Sequence, residues 1–99
     1  MTAKFSLTES AVQDIEEIAD YLDQQSNFDR AEQFVQKLNE QFSRIAQFPG
    51  LGRQRNEISP GIRSLPIDTY LLLYIATGAN VEILRVVSGF RDLSGLFDS

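Results

Sequence analysis

Three apolar runs in the second half of the chain decide its fold: PGIRSLP (residues 60–66), YLLLYI (70–75) and VEILRVV (81–87). Each run is rich in β-branched, aromatic or leucine residues, and short turn-forming segments separate the runs, which predicts three consecutive strands. The middle run is apolar on both faces of the pleat, as expected of a central strand. Arg63 and Arg85 interrupt the outer two runs. Because burying an unpaired charge costs several kcal/mol, each arginine requires a partner.

The composition limits the chemistry that the chain can perform. Its 99 residues correspond to a single domain, 1–99, and contain neither cysteine nor histidine. Disulfides, thiolate or imidazole metal sites and cysteine nucleophiles are therefore excluded, and no cofactor or metal is expected. No run approaches the roughly 18 apolar residues of a membrane span, and the N-terminus has no apolar signal segment. These features predict a cytoplasmic protein.

The net charge of −5 is distributed unevenly along the sequence. Residues 1–48 contain nine acidic and four basic side chains, whereas residues 49–99 contain five of each, and all five bases there are arginine. An acidic half opposes binding to a phosphate backbone, which depends on clustered positive charge. Arginine suits the recognition of carboxylate or phosphate groups through its planar fork of donors. Arg53, Arg55 and Arg91 can equally be solvated surface residues.

A strand and two amphipathic helices are predicted before the three apolar runs. Residues 4–7 alternate polar and apolar side chains, which indicates a short strand. Apolar residues then recur at helical spacing within 11–22 and again within 31–48, where a Pro-Gly pair ends the pattern. Because such helices are not stable alone, the hairpin of about residues 8–48 should cover one face of a sheet formed by residues 62–88.

Both predicted helices are preceded by residues that can cap a helix N-terminus. Thr8 or Ser10 can cap the first helix, and Asn27 or Asp29 can cap the second. The acidic side chains that follow are favourable in a first helical turn. The acidic outer face of the hairpin is most simply explained as solvated helix surface.

Residues 49–61 are predicted to form a loop, since glycine, proline and polar residues dominate them. The loop contains Arg53 and Arg55, two positions apart, and it lacks the Gly-Lys-Ser/Thr of a phosphate-binding loop. A loop of about 13 residues is long for a small domain, which favours a functional role.

Alternation along the last strand predicts where its arginine points. Leu84 and Val86 share one face of that strand, and Arg85 lies on the other. If the first two pack under the helices, Arg85 projects from the far side of the sheet, where Arg63 can join it. The far face would then be an apolar surface bearing arginines. The alternative is an internal ion pair with a carboxylate, for instance Glu57, Glu82 or Asp92.

Five segments, in this order along the chain, carry a joint pattern: DIEEIADYL (14–22), AEQFVQKL (31–38), FPGLGRQRNEISPGIRSLP (48–66), YLLLY (70–74) and VEILRVVSGFRDL (81–93). Together they resemble the ParE branch of the RelE/ParE toxin superfamily, over nearly the whole chain. The resemblance implies a βααβββ fold of the α+β class. In this fold a helical hairpin packs on one face of an antiparallel sheet of about four strands.

The same resemblance implies a bacterial toxin of a type II toxin–antitoxin system. Such a toxin is encoded beside an antitoxin whose C-terminal segment lies along the toxin surface and neutralises it. ParE toxins inhibit DNA gyrase, whereas the RelE branch cuts mRNA on the ribosome. The expected partners are a ParD-like antitoxin, in a hetero-oligomer, and DNA gyrase; neither direct nucleic-acid binding nor membrane association is expected.

The residue chemistry favours the ParE branch. RelE-type cleavage needs basic groups near the reacting phosphate and a group that can move protons. The arginines stand where similar toxins carry basic site residues, but Ser88 falls where a relative can show histidine, and no Tyr, His or Lys follows Tyr74. Glu57 is the only loop carboxylate that could act as a base, and arginine does not exchange protons readily at neutral pH. We therefore expect no enzymatic activity; the alternatives are a ribosome-dependent mRNA endonuclease and an inactive interaction module.

The sequence thus predicts a partner-binding surface and no catalytic centre. In it Arg63 and Arg85 would hold carboxylates of a partner, and the apolar tail (residues 89–99) would dock on its own sheet or on that partner. The predicted members of the surface are Arg53, Arg55, Arg63, Arg85, Phe90, Arg91, Leu96 and Phe97.

Overall fold

A helical hairpin packs on one face of a β-sheet in the computed structural model of the chain, which describes residues 4–25, 28–78, 80–89 and 93. The elements, in chain order, are β1 (Lys4–Leu7), α1 (Glu9–Gln25), α2 (Phe28–Gln47), β2 (Arg53–Gln54), β3 (Ile62–Ile67), β4 (Tyr70–Thr77) and β5 (Asn80–Ser88), with a 3₁₀ turn, Pro49–Leu51, between α2 and β2. The predicted α+β class and the order of its main elements are confirmed.

The described strands form a sheet of five in the order β1-β5-β4-β3-β2, one more than expected. The extra strand is β2, whose Arg53 pairs with Ser64 and whose Gln54 pairs with Arg63 inside the segment predicted as loop. All neighbouring pairs are antiparallel except β1 and β5, which run parallel. A parallel pair requires a long crossover connection, and the whole chain between the two strands provides it.

The start of α1 is tied to the sheet by Thr8. Its hydroxyl accepts a hydrogen bond from the backbone N–H of Ala11 at 3.0 Å and donates one to the carbonyl of Leu84 at 2.8 Å. Thr8, not Ser10, is therefore the cap of α1. Asp29 lies in the first turn of α2 and does not cap it, and Asn27 lies outside the described residues.

The main core lies between the hairpin and the sheet, on what we call the helix-covered face. Its buried members from the helices are Ala11, Ile18, Phe34, Leu38, Phe42 and Ile45, and those from the sheet are Ile67, Leu72, Tyr74, Val81, Ile83 and Val86. Two aromatic pairs join the layers: Phe5 with Phe42, and Phe34 with Tyr70, at ring-centroid distances of 5.3 and 5.2 Å. The two helical stripes predicted from the sequence thus cover the sheet as expected.

The opposite side of the sheet, here the open face, carries a second apolar cluster. Its buried residues are Ile62, Leu73 and Val87, with Ile58, Leu71, Leu84 and Leu93 packed against them. No helix among the described residues covers this face. Leu93 belongs to the apolar tail, so this residue of the tail docks on its own sheet. The helices in the described part of the chain fall short of what a membrane span requires.

A β-bulge in β5 changes the predicted faces of that strand. Tyr74 pairs with Ile83 and Leu73 with Arg85, which leaves Leu84 as an extra, unpaired residue of β5. Ile83 and the later Val86 therefore pack under the helices, whereas Leu84 belongs to the open-face cluster. The prediction that Leu84 packs under the helices was wrong, because strict alternation cannot reveal an inserted residue.

Candidate functional site

Arg85 forms an internal ion pair with Asp14 of α1. Its Nε donates to Oδ2 of Asp14 at 2.7 Å and its Nη2 donates to Oδ1 at 3.0 Å. This two-pronged geometry is that of a strong arginine–carboxylate pair. The two side chains are only 20% and 12% exposed, and the hydrogen bonds to Asp14 raise the pKa of Arg85.

Asp14 also completes the hydrogen bonding at the edge of β5. Strand β1 pairs with β5 only as far as Leu7 opposite Ile83. Beyond that point α1 takes over the edge, and Oδ2 of Asp14 accepts the backbone N–H of Val86 at 3.0 Å. The three internal partners considered from the sequence did not include Asp14. A carboxylate three residues after Ala11 and four before Ile18, inside the buried stripe of α1, is the signal that could have identified it.

Arg63 lies on the helix-covered face and binds backbone. Arg63 shares one face of β3 with Leu65 and Ile67, both of which contact the main core. On the neighbouring strand it is paired with Tyr74. Its Nη1 donates to the carbonyl oxygen of Gly52 at 2.7 Å and lies 3.5 Å from that of Gly50. The expectation that Arg63 projects from the far side of the sheet was therefore wrong. The residue of β3 that packs on that side is Ile62, one position before Arg63.

Tyr74, on β4, also binds the segment 49–52. Its side chain is fully buried, and its hydroxyl donates to the carbonyl oxygen of Pro49 at 2.7 Å and accepts the backbone N–H of Gly52 at 2.7 Å. Burial raises the pKa of Tyr74, against the smaller lowering effects of the Gly52 N–H and the Arg63 charge. Tyr74 and Arg63 together hold the Pro49–Leu51 turn against the sheet. The signal for this role was a tyrosine in a buried strand, where the hydroxyl must find partners.

Replacing Tyr74 with phenylalanine should lower the free energy of unfolding by about 2 kcal/mol, because two backbone groups lose their partner. The raised pKa also predicts how stability depends on pH. The tyrosine contributes fully to the free energy of unfolding below its ordinary pKa of 10.0, and this contribution is lost as the pH rises through the raised pKa. Urea unfolding of both proteins between neutral pH and about pH 11 checks this. The difference between them should shrink at high pH, whereas Tyr21→Phe, at an exposed tyrosine, should follow the original protein throughout.

Arg53 lies in β2, the edge strand of the sheet, and Arg55 follows directly after that strand. The Nε of Arg55 donates to Oε1 of Glu57 at 2.6 Å, and its Nη1 donates to the hydroxyl of the buried Ser64 at 3.2 Å. A backbone hydrogen bond at Glu57 and the hydrogen bond from Arg55 lower the pKa of the Glu57 carboxyl, and the charge of Arg53 adds to this effect. Arg53 itself is exposed.

The predicted surface is therefore divided in the structure. Arg53, Arg55 and Arg63 lie on or next to β2 and β3, whereas Arg85 lies on β5 and is paired with α1. Strand β4 separates the two groups. Four predicted members lie outside the described residues: Phe90, Arg91, Leu96 and Phe97. In the described part of the chain, no three acidic side chains are grouped as metal ligands.

Two exposed apolar side chains near the arginines were missed by the sequence analysis. Phe48 was counted in the buried stripe of the second helix, but α2 ends at Gln47 and Phe48 is 65% exposed. Leu51, at the end of the 3₁₀ turn, is 40% exposed. The following proline could have indicated this, since a residue before proline is disfavoured in helical conformation.

Comparison with known proteins tests the family predicted from the sequence. The model of the family described as "ParE toxin of type II toxin-antitoxin system, parDE" matches residues 5–93. Toxin ParE1 of Mycobacterium tuberculosis is 33% identical over 94 residues, which cover 94% of this chain and 96% of the relative. Toxin ParE3 of Caulobacter vibrioides is 33% identical over 60 residues, 61% of this chain and 60% of the relative.

A solved structure agrees with this assignment at the level of the fold. A chain of the chromosomal ParDE TA system from P. aeruginosa superposes with a TM-score of 0.75 at 24% identity, covering 88% of this chain and 96% of that one. The family match spans most of the sequence, and the ParE1 relative is similar over almost its full length. The resemblance noted in the sequence is thereby confirmed, and the chain belongs to the ParE toxin family of type II toxin–antitoxin systems.

Proposed function

We propose that this toxin acts without catalysis, by binding and inhibiting DNA gyrase, and that a ParD-like antitoxin neutralises it. The observation that carries the proposal is the match of residues 5–93 to the ParE family. The similar fold in a ParDE system of P. aeruginosa supports an antitoxin partner for this chain as well. The target and the neutralisation are inferred from the family.

The state of the candidate proton-transfer groups favours binding over cleavage. Glu57 is paired with Arg55 at 2.6 Å and its pKa is lowered, which makes its carboxylate a weaker base. Tyr74 is buried, both of its hydrogen bonds go to backbone, and its pKa is raised. Neither group near the arginines of β2 and β3 is therefore tuned to move a proton at neutral pH.

The arginines differ in what they offer to a partner. Arg53 is exposed, so its guanidinium is accessible to a partner carboxylate. Arg55 and Arg63 each retain part of their donor fork but also bind groups of their own chain. Arg85 already uses two prongs on Asp14. We propose Arg53 as the principal carboxylate-binding residue of the four, with Arg85 acting through its hold on α1.

Purified toxin should inhibit DNA supercoiling by gyrase, and the antitoxin encoded by the adjacent gene should relieve this inhibition. The physical expectation is a protein–protein interaction, so inhibition should saturate with toxin concentration and leave mRNA intact in a ribosome-dependent translation assay. Ribosome-dependent mRNA cleavage that disappears in Glu57→Gln would instead establish an endonuclease. Overexpression that is harmless in the absence of antitoxin would indicate an inactive interaction module.

A further inference from the structure

The segment 48–53, here called the turn surface, exposes apolar side chains to solvent, while its backbone is hydrogen-bonded to the sheet. Phe48 is 65% exposed and Leu51 40%, and Phe48 is the most exposed large apolar side chain in the described part of the chain. Neither side chain belongs to a core cluster of the described residues. A single exposed apolar side chain is ordinary, but two of them three positions apart on a turn held against the sheet form a candidate interaction site.

The turn surface is held in one conformation by its own chain. The backbone N–H of Phe48 donates to the carbonyl of Arg44 at 2.8 Å, and that of Leu51 donates to the carbonyl of Phe48 at 3.0 Å. Beneath them Tyr74 binds Pro49 and Gly52, and Arg63 binds Gly52. The conformational entropy of this turn is therefore lost on folding, and little remains to be lost when a partner binds.

Two exposed arginines flank the two apolar residues along the chain. Arg44 lies one helical turn before Phe48, and Arg53 lies two residues after Leu51. Both are exposed, on a chain whose net charge is −5. A partner that fits this surface must carry carboxylates around an apolar recess. Aromatic residues, phenylalanine among them, and arginines are also enriched in protein interfaces.

We propose that the turn surface is the part of this toxin that docks into an acidic, apolar-lined recess of its target protein. The inference rests on the proposed function, in which the target is a large folded enzyme. A turn that is already held in place by hydrogen bonds suits a recess that exists before binding, because neither side must reorganise. An antitoxin segment that folds along the toxin needs a groove or a long strand edge instead, and within the turn surface only Arg53 belongs to a strand, the two-residue edge strand β2.

Two variants test the turn surface without touching the core. Phe48→Ala/Leu51→Ala removes the apolar contact, and Arg53→Glu reverses the nearest exposed charge. Tyr21→Ala is the matched control for the first, since Tyr21 is 56% exposed on α1. Lys4→Glu is the control for the second, because Lys4 is exposed on β1, at the opposite edge of the sheet. Urea unfolding of all four establishes that they remain folded.

Three readouts are needed: growth inhibition in cells that lack the antitoxin, inhibition of gyrase supercoiling, and affinity for the antitoxin. Both turn-surface variants should lose at least about thirtyfold in inhibitory potency, the effect of one interface hot spot, while both controls retain it. Antitoxin affinity should change by less than about threefold in all four.

Two results would overturn the inference. One is unchanged growth inhibition by both turn-surface variants. The other is a loss of antitoxin affinity with unchanged potency, which would make the turn surface an antitoxin site. A different failure concerns the proposed function alone: if the original protein stops growth but does not inhibit gyrase, the target is wrong, and the growth assay still tests the turn surface.

Discussion

Replacing Asp14 with alanine should lower the free energy of unfolding by about 3 kcal/mol, which is a large effect for one substitution far from the centre of the core. Two groups lose their partner at once. The side chain of Arg85 is only 20% exposed and would remain charged with its hydrogen-bonded carboxylate removed, leaving only the weaker electrostatic effect of Glu17. The backbone N–H of Val86, at the edge of β5, would lose the oxygen that accepts it at 3.0 Å. We take the lower end of the range for broken buried pairs, because water can still reach part of Arg85.

A double-mutant cycle separates the pair from its parts. Arg85→Ala should also destabilise, and Asp14→Ala/Arg85→Ala should cost about 1–2 kcal/mol less than the sum of the single changes, because the second substitution removes the unpaired charge. Lys37→Ala is the matched surface control. It breaks the ion pair of Lys37 with Asp68, whose side chains are 55% and 49% exposed, and should cost less than about 1 kcal/mol.

Urea unfolding of the original protein and the four variants gives these numbers directly. If Asp14→Ala unfolds like the original protein, the ion pair does not hold α1 to β5, and Arg85 is available to a partner. The result also governs how toxicity data are interpreted. A loss of toxicity in Arg85→Ala indicates a binding role only after the variant has been shown to be folded under the assay conditions.

The order of the main elements could be predicted because the apolar residues of each recur at helical or strand spacing over several residues. The stripe of α2 recurs over more than four turns, and the three apolar runs have turn residues between them. Strand β2 could not be predicted, since two residues, Arg53 and Gln54, carry no period. It follows a turn that is hydrogen-bonded to Tyr74 and Arg63, residues that lie far from it in the sequence.

The candidate site was harder to predict, because its geometry depends on contacts between distant residues. Asp14 and Arg85 are 71 positions apart; the spacing marks Asp14 as a carboxylate within a buried stripe, but it does not indicate which cation pairs with it. The bulge at Leu84 further changes which residues share a face of β5. Arg63 was placed on the wrong side because only its neighbours Leu65 and Ile67, once seen under the helices, fix the face of its strand.

Replacing Gly52 with alanine should lower the free energy of unfolding by about 3 kcal/mol, because Gly52 is the point at which the turn surface packs against the interior. The backbone is not the reason, since Gly52 has φ −79° and ψ 157°, an extended conformation that any residue adopts. The reason is space. A Cβ at this position would lie 2.7 Å from both Cε1 and the hydroxyl oxygen of Tyr74, and 2.9 Å from the carbonyl oxygen of Ser64. Tyr74 is fully buried and Ser64 is held in β3, so neither can withdraw without breaking hydrogen bonds.

Gly50→Ala provides the control within the same turn. A Cβ there would meet no atom within 4 Å, so its stability should stay within about 0.5 kcal/mol of the original protein. Gly52→Ala/Tyr74→Phe should be less destabilised than the sum of its single changes, because removing the hydroxyl removes one of the close contacts. If Gly52→Ala proves as stable as Gly50→Ala, Tyr74 can move away from the turn. The turn surface would then not be rigid, and it would not be organised in advance for a partner.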